Sequence, residues 1–410
     1  MEISNGMNKK KLFLWSLYDF SNSIVYINFV LYFAVWIVVD AGLSDFLYNA
    51  IFAVSTLLLL VTAPFLAAYT DKKGRRKLFL NIATIGTFVS YGLTAIFASM
   101  NIHVLLVALL FLIGQYFYQL SFVFFNPMLE EIADETHRSR ASGICQFTSS
   151  LGFVAGIALA IPFASSRVAP LLPAVFAFFI LALPMMIFYK ETKKEEDTTD
   201  LNIITKKPMF TKQKMITFFT VSVATPMLVA FFFFNDALIT VSNNYSIYLE
   251  RVFHMPDSTK SILLAIVLGM SALGAAIGGW VGDKIGALKT LKFILMGWII
   301  LLPLVAIAQN LTTMIVLTLF TGLLLGSMWT VSRSYLSIIL PKEDMGYGFS
   351  FYTIAERFAT LVGPLTWGGI IWYMGIEAIA YRIAMACMTI FVVVGLIILM
   401  SWKRPKLSTA

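Results

Sequence analysis

The chain has 410 residues, of which 59% are hydrophobic and only 13% are charged. Soluble domains are nearer half apolar and a quarter charged, so this composition and a mean hydropathy of +0.84 point to an integral membrane protein. The net charge of +8 would suggest nucleic-acid binding in a soluble protein. We expect no nucleic-acid partner here, because loops at a membrane surface explain the basic residues better.

Twelve apolar stretches predict an all-α membrane protein with twelve transmembrane helices, since about 20 apolar residues span a bilayer. The first stretch follows Lys9–Lys11 and carries Asp19 and Asn22. It is too long for the apolar region of a signal peptide, so we expect no cleavable signal. In chain order, the predicted spans are 12–38, 45–70, 78–100, 103–128, 141–164, 169–189, 215–249, 258–282, 290–309, 312–340, 349–374 and 378–402.

The middle of the chain predicts a division into two halves. The run KETKKEEDTTD is charged and free of aromatic residues, as expected of a solvated linker. The seventh stretch after it is too long for one straight helix and is divided by Pro226, so its first part, 215–225, is predicted as an interfacial or kinked piece. The predicted parts are an N-terminal six-helix bundle (1–189), a cytoplasmic linker (190–214) and a C-terminal six-helix bundle (215–410).

The basic residues predict the orientation in the membrane. With twelve spans and a cytoplasmic N-terminus, 24 of the 30 Lys and Arg residues fall on the cytoplasmic side. Four fall on the opposite side, and Arg333 and Arg357 fall within spans. Because positive residues accumulate on the cytoplasmic side of membrane proteins, we expect both termini to be cytoplasmic.

Two loops carry the same signature about 212 residues apart, DKKGRRK from Asp71 and DKIGALK from Asp283. A cationic loop repeated at half the chain length indicates two similar halves, a plan found in secondary transporters. Both loops resemble the signature G-x-L-A-D-R-x-G-R-[RK] between the second and third helices of the major facilitator superfamily. A carboxylate at one helix end can meet the positive N-terminus of another helix. We therefore assign gating roles to Asp71, Gly74, Arg75, Asp283 and Gly286.

Four other stretches resemble one branch of this superfamily. WSLYDFSNS in the first span, FFFFNDALIT in the seventh, SRSYLSIILPKED in the tenth and FYTIAERFATLVGPL in the eleventh are similar to the vacuole-effluxer-like branch. That branch includes the autophagy-related vacuolar amino-acid effluxers of fungi and many bacterial members. The resemblance implies a major-facilitator-type fold with two pseudo-symmetric six-helix bundles, alternating access and export of small metabolites. It also favours the bacterial cytoplasmic membrane as the location.

Polar residues within the spans indicate where a substrate would pass. A charge at the bilayer centre costs at least roughly 2.5–3.5 kcal/mol on insertion scales, so such residues usually face a cavity or a partner. The first, fourth, seventh and tenth spans carry polar stripes at helical spacing, and these four spans line the cavity in the resembled superfamily. The predicted cavity residues are Asp19, Asn22, Tyr26, Gln115, Gln119, Asn126, Asp236, Thr240, Trp329 and Arg333.

The same residues also have structural interpretations, which the sequence leaves open. Asp19 can cap a helix or pair with a loop cation, and the glutamines and Asn126 can bond neighbouring helices, as polar membrane residues often do. Arg333 can pair with Glu356. The adjacent Glu356 and Arg357 point about 100° apart on a helix, and we assign them a gating or structural role in locking the two halves together.

The sequence contains no motif for enzymatic chemistry. It has no phosphate-binding G-x4-GK[ST] loop, no H-E-x-x-H zinc motif and no G-x-S-x-G elbow. Cys145 and Cys387 lie inside apolar runs and are predicted as packing thiols, while the histidines are scattered. We therefore expect neither an enzyme nor a cofactor or metal.

The predicted function is a secondary active transporter that exports an amino acid or a similar small amphipathic solute. Its expected partners are this substrate, protons and the lipid bilayer, and we expect a monomer. Proton sensitivity is assigned to Asp236, helped by Asp19, because Asp236 follows the run Phe231–Phe234 and desolvation disfavours a charged carboxyl group. The alternative is a transport-inactive sensor or scaffold, which would tolerate substitutions in the polar stripes.

Overall fold

The structure is a computed structural model that describes residues 6–73, 75–134, 137–163, 166–191, 224–340, 351–352, 355–356 and 358–401. Within these ranges the chain is overwhelmingly helical, and the only β pairing is an isolated bridge between Met7 and Ala133. The all-α fold predicted from the sequence is confirmed.

Twelve helices of ten residues or more lie in the described ranges, and eleven of them are long and apolar enough to cross a membrane. The exception is the short eleventh helix. Most bounds agree with the predicted spans to within a few residues. The helices are α1 (Lys9–Asn28), α2 (Asp45–Lys73), α3 (Arg76–Ser99), α4 (Val104–Phe125), α5 (Arg138–Ala160), α6 (Leu171–Phe188), α7 (Thr225–Phe253), α8 (Asp257–Ile285), α9 (Ala287–Ile307), α10 (Leu311–Ile339), α11 (Val362–Met374) and α12 (Ala378–Ser401).

The seventh predicted span needs a correction. Helix α7 begins at Thr225, and Pro226 lies in its first turn. A proline is tolerated there because the N–H group that it lacks would have no partner inside the helix. Pro226 therefore starts the helix rather than dividing it, and residues 215–223 of the prediction lie outside the described ranges.

The eleventh predicted span, 349–374, is also wrong as one continuous helix. The backbone leaves the helical conformation at 359–361 and resumes with α11 at Val362. Pro364 explains the break, since its ring would clash with the carbonyl group of Thr360 four residues earlier and it has no N–H to donate. The hydropathy of the sequence does not indicate this break in the helix, because the residues on both sides of it are apolar.

The chain forms two compact units. Unit 1 contains Met1–Asn28 and Ser55–Thr220, and unit 2 contains Phe29–Val54 and Val221–Ala410. The later part of the first span and the start of the second therefore pack with the C-terminal helices. In that part, α1 continues through two π-helical segments, Phe29–Phe33 and Trp36–Asp40.

Glycines at G-x-x-x-G spacing, such as Gly274 with Gly278 and Gly322 with Gly326, allow close helix crossings. In unit 2, a methyl group added at Gly274 of α8 would overlap the carbonyl oxygen of Leu323 on α10. One added at Gly326 of α10 would overlap the carbonyl oxygen of Ser271 on α8. In unit 1, Gly152 gives α5 the same close approach to the backbone of α1. These crossings fix the helices that carry the polar residues.

Candidate functional site

Asp236 is one of the fully buried polar residues of unit 2. Its side chain is fully buried on α7. One carboxylate oxygen, Oδ2, accepts a hydrogen bond of 2.7 Å from the backbone N–H of Gly363, and the N–H of Val362 also donates to the carboxylate. The other oxygen, Oδ1, is buried without a hydrogen-bond partner among the described residues, as is the hydroxyl group of Thr240 one turn later.

The close approach of α7 and α11 depends on Gly363. A methyl group built on it would overlap the hydroxyl of Thr240, and it would lie 2.8 Å from Asp236 Oδ1 and 3.0 Å from the Asp236 carbonyl oxygen. Only a residue without a side chain brings the start of α11 this close to α7. Two predicted cavity residues, Asp236 and Thr240, are thus brought together against a helix N-terminus.

Asn235 is a site residue that the sequence reasoning missed. It is fully buried, its Oδ1 accepts a 3.1 Å hydrogen bond from the indole Nε1 of Trp329, and its Nδ2 donates to the carbonyl oxygen of Glu356 at 3.4 Å. Adjacent residues on a helix point about 100° apart, so a polar stripe along one helix face includes either Asn235 or Asp236 but not both. The signal was the Asn-Asp pair itself, two polar residues side by side in an apolar span.

Arg333 of α10 and Glu356 form an ion pair with an N–O distance of 3.9 Å, and both side chains are part-exposed. The guanidinium group also lies 5.9 Å from the centre of the Tyr352 ring, which stacks on Phe231 of α7. The structural pairing that the sequence left open for Arg333 is therefore formed. Arg357 lies outside the described residues.

In unit 1, the predicted residues of α1 contact α5 and α4. The thiol of Cys145 donates to Asp19 Oδ2 at 3.3 Å. Tyr26 stacks on Tyr118 with ring centres 5.8 Å apart. Asn22 is buried, and its Nδ2 donates to the carbonyl oxygen of Tyr18 on its own helix.

The polar residues of α4 bond neighbouring helices. Gln115 accepts a 2.7 Å hydrogen bond from the hydroxyl of Tyr91 on α3, and Gln119 donates to Ser55 on α2 at 3.0 Å. Asn126 is half-buried at the end of α4 and begins a 3-10 turn. For both glutamines, the structural interpretation is realised.

The first cationic loop lies beside the end of α6. Asp71 belongs to the last turn of α2, Gly74 lies outside the described residues, and Arg75 is exposed. The backbone N–H of Lys77, in the first turn of α3, donates to Glu191 Oε1 at 2.5 Å. Burial raises the pKa of Glu191, and this hydrogen bond partly opposes the increase.

The second cationic loop contains a glycine in a tight turn. Asp283 is exposed in the last turn of α8, and Gly286 has a φ of +93° between α8 and α9. A side chain is strained at such an angle, so glycine suits this turn. Lys284 lies 3.7 Å from the centre of the Trp280 ring, a cation–π contact.

A third set of contacts lies at the helix ends far from these loops, and the sequence reasoning did not find it. Asn49 and Asn244 exchange two amide hydrogen bonds, of 3.0 and 2.8 Å, and both are fully buried. Tyr381 donates to Asp45 at 2.8 Å. The π-helical part of α1 leaves the carbonyl oxygen of Leu31 available to the hydroxyl of Ser246, at 2.7 Å. We call the contacts between residues 29–54 and α7, α8 and α12 the far-end clasp.

The fold and these buried polar clusters define a helical membrane transporter. Residues 16–238 and 227–410 match the family model described as Major Facilitator Superfamily. The chain belongs to the Major Facilitator Superfamily, which confirms the resemblance of its two loops.

Individual relatives agree with this assignment. The MFS-type transporter YxiO of Bacillus subtilis (strain 168) is 25% identical over 382 residues, 86% of each chain. Autophagy-related protein 22 of Saccharomyces cerevisiae (strain ATCC 204508 / S288c) is 26% identical over 157 residues, 34% of this chain and 29% of that protein, which supports the vacuole-effluxer-like branch. The crystal structure of a bacterial homologue of the human lysosomal transporter Spinster, inward-facing and unoccupied, has a TM-score of 0.73 at 13% identity and covers 96% of this chain and 97% of that chain.

Proposed function

We propose that the protein is a proton-coupled secondary transporter that exports a small amphipathic metabolite, an amino acid or a similar solute, by alternating access. It acts in the bacterial cytoplasmic membrane with both termini and the 190–214 linker in the cytoplasm. The observation that carries the proposal is the fully buried Asp236 carboxylate, whose Oδ1 has no hydrogen-bond partner among the described residues. Transporter matches over the length of the chain favour transport over the sensor or scaffold alternative.

The surroundings of Asp236 support proton binding. An ionised carboxylate in an apolar interior is costly unless each oxygen has a donor. Here the backbone groups of α11 satisfy Oδ2, and Oδ1 is left to the proton or to water. Arg333, which could neutralise a nearby carboxylate, pairs instead with Glu356.

The far-end clasp supports alternating access. Its contacts are side-chain hydrogen bonds rather than apolar packing alone, so its surfaces can be rehydrated when they part. One polar contact between membrane helices contributes about 0.6 kcal/mol on average, so the four hydrogen bonds described above contribute about 2.4 kcal/mol. An energy of this size permits a reversible change between two states. We assign the clasp to the closure of the extracytoplasmic side.

The cargo class is argued from the aromatic side chains of the polar stripes, taken in each unit separately. Trp329 in unit 2 and Tyr26 in unit 1 offer aromatic surface, and each is only half-buried. Aromatic surface suits zwitterions and small amphipaths better than polyanions. The cargo is found by thermal-shift screening of the purified protein with amino acids, nucleosides and vitamins, since a ligand that binds only the folded state raises its stability.

Transport in proteoliposomes tests the proposal. With the cargo from the screen, the wild-type protein should accumulate it against its gradient when a pH difference is imposed. Asp236→Asn preserves the shape but cannot ionise, so it should exchange cargo down its gradient and lose pH-driven accumulation. Glu377→Gln is the control, because Glu377 is an exposed carboxylate between α11 and α12. Full pH-driven accumulation by Asp236→Asn would remove Asp236 as the coupling site.

A further inference from the structure

The adjacent residues Asn235 and Asp236 contact the two sides of the break that precedes α11. Asn235 donates to the carbonyl oxygen of Glu356, before the break, and Asp236 accepts from the N–H of Gly363, after it. We propose that this Asn-Asp pair is a positioning device that splints the broken helix, and that the charge on Asp236 sets how firmly α11 is held. This inference rests on the proposed proton coupling at Asp236.

The break leaves hydrogen-bond acceptors without donors on one side and donors without acceptors on the other. A helix that ends leaves carbonyl groups without donors, and a helix that begins leaves N–H groups without acceptors. The Glu356 carbonyl would bond the N–H of Thr360 in a continuous helix, but the backbone at 359–361 is not helical. Where such groups are buried in protein, other protein groups must satisfy them.

Asn235 can supply the donor on one side of the break, and Asp236 can supply the acceptor on the other side. An amide NH₂ group is a donor and suits the carbonyl oxygen at the helix end. A carboxylate is an acceptor only and suits the N–H groups at the helix start. The residue before α11, Leu361, has no side chain that could cap the helix, and α11 shows no side-chain cap of its own. Asp236 therefore acts as the N-cap of a helix to which it does not belong.

The charge on Asp236 matters because the cap lies at the positive end of α11. Hydrogen bonds to ionised acceptors are roughly twice as strong as neutral ones, and the helix dipole also favours a negative charge there. Protonation leaves a carbonyl oxygen that still accepts a hydrogen bond, but the bond is weaker. The cap should therefore loosen rather than vanish, by about threefold to tenfold in its equilibrium constant.

Other ionisable groups on the elements around α7 have their own contacts. Tyr32 bonds Ser261, Tyr381 bonds Asp45, Arg333 pairs with Glu356, and Arg382 donates to the carbonyl oxygens of Ala306 and Ala308. The remaining ionisable groups on the described residues of 29–54, α10, the segment before α11, α11 and α12 are Asp40, Tyr48, Tyr335, Tyr352, Tyr373 and Cys387. In the described part of the chain, none of these groups forms a hydrogen bond with the Asp236 carboxylate.

A weaker hydrogen bond between Asp236 and the start of α11 would also affect α10. The segment before the break carries Glu356, whose side chain pairs with Arg333 of α10, and Asn235 also bonds Trp329 of α10. A change in the position of the break therefore reaches α10 through two contacts. This gives a physical route from a proton on α7 to a movement of a second helix.

Hydrogen exchange of the peptide covering 359–366 tests the inference in the full-length protein. After correction for intrinsic rates, Asp236→Asn should speed exchange of the Val362 and Gly363 amides by about threefold to tenfold near neutral pH. Lowering the pH should bring the wild-type protein to the same level and leave Asp236→Asn unchanged. The start of α3, capped by Glu191, is the internal control and should not respond to Asp236→Asn.

An exchanged pair gives the sharper comparison. The double variant Asn235→Asp with Asp236→Asn keeps the composition but places a carboxylate against the Glu356 carbonyl and a neutral amide against α11. It should protect the 359–366 peptide less than Asp236→Asn alone. If the double variant does not fold, Asn235→Asp alone tests the Glu356 side of the break, because it removes the amide donor while Asp236 still caps α11. Wild-type protection in Asp236→Asn and in either of these variants would overturn the inference, whereas the flux assay separately decides whether Asp236 couples transport to protons.

Discussion

Two carboxylates in this protein cap a helix to which they do not belong, and their surroundings differ. In unit 1, Glu191 accepts from the backbone N–H of Lys77 at the start of α3, at 2.5 Å. In unit 2, Asp236 accepts from the N–H of Gly363 at the start of α11, at 2.7 Å. Glu191 is half-buried at the edge of the helices with Arg76 and Lys77 nearby, and Asp236 is fully buried in an apolar span.

The difference teaches that one local interaction can serve two purposes. Near Glu191, basic side chains and water can compensate for a lost charge. This cap therefore serves mainly to connect α3 with the end of α6. Around Asp236, one carboxylate oxygen is buried without a hydrogen-bond partner among the described residues. A change of protonation there must alter the structure around it, which suits a coupling site.

The largest expected effect comes from filling the contact that lets α11 approach Asp236. Gly363→Ala places a methyl group against Thr240 and Asp236, so it should destabilise the protein by about 1–3 kcal/mol as other overpacked sites do. Gly369→Ala on the same helix is the control, because a methyl group there meets nothing within 4 Å. Thermal unfolding in detergent measures both. Equal stability of the two variants would show that the close approach is not required.

Deleting the caps should have an effect of similar size at Asp236 and a smaller one at Glu191. Asp236→Ala leaves buried N–H groups unsatisfied and should cost about 1–3 kcal/mol. Glu191→Ala should cost about 0.5–1 kcal/mol, in the lower range for exposed helix caps. The measurement is denaturant unfolding of both variants beside the wild type. An equal or larger loss for Glu191→Ala would contradict the contrast between the two sites.

The smallest effect concerns pH. Folding raises the pKa of Glu191 by burial, so the stability that this group contributes is present at low pH and is lost as the pH rises through the raised pKa. Glu191→Gln cannot ionise and should flatten that fall just above the ordinary pKa of glutamate, with a change in Tm of no more than about 2 °C. Tm values measured across this range would reveal it. A steeper fall in the variant would show that the sign is wrong.

The sequence predicts the spans well because hydropathy reflects burial in lipid. It does not reveal the break before α11, because Pro364 acts through backbone geometry inside an apolar run. The loop glycine is predictable, and Gly286 indeed adopts a positive φ. For the KETK run, the contact of Glu191 with Lys77 shows a helix cap that composition alone cannot indicate.

The site is only partly predictable for a related reason. A polar stripe lies on one face of a helix. The stripe of α7 therefore includes Asp236 and Thr240 but not Asn235, which bonds Trp329 and Glu356. The amide pair of Asn49 and Asn244 joins residues 195 positions apart. Only the three-dimensional structure brings these two asparagines together and so identifies the far-end clasp.

The central claim is that Asp236 takes up and releases a proton while the protein works. Infrared difference spectroscopy of the membrane-reconstituted protein measures this directly, because a protonated carboxyl group has a carbonyl stretch that a carboxylate lacks. On lowering the pH, the wild-type protein and Glu191→Gln should both gain a buried carboxylic-acid band that Asp236→Asn does not gain. The same band in Asp236→Asn, or its absence from the wild-type protein, would contradict the account.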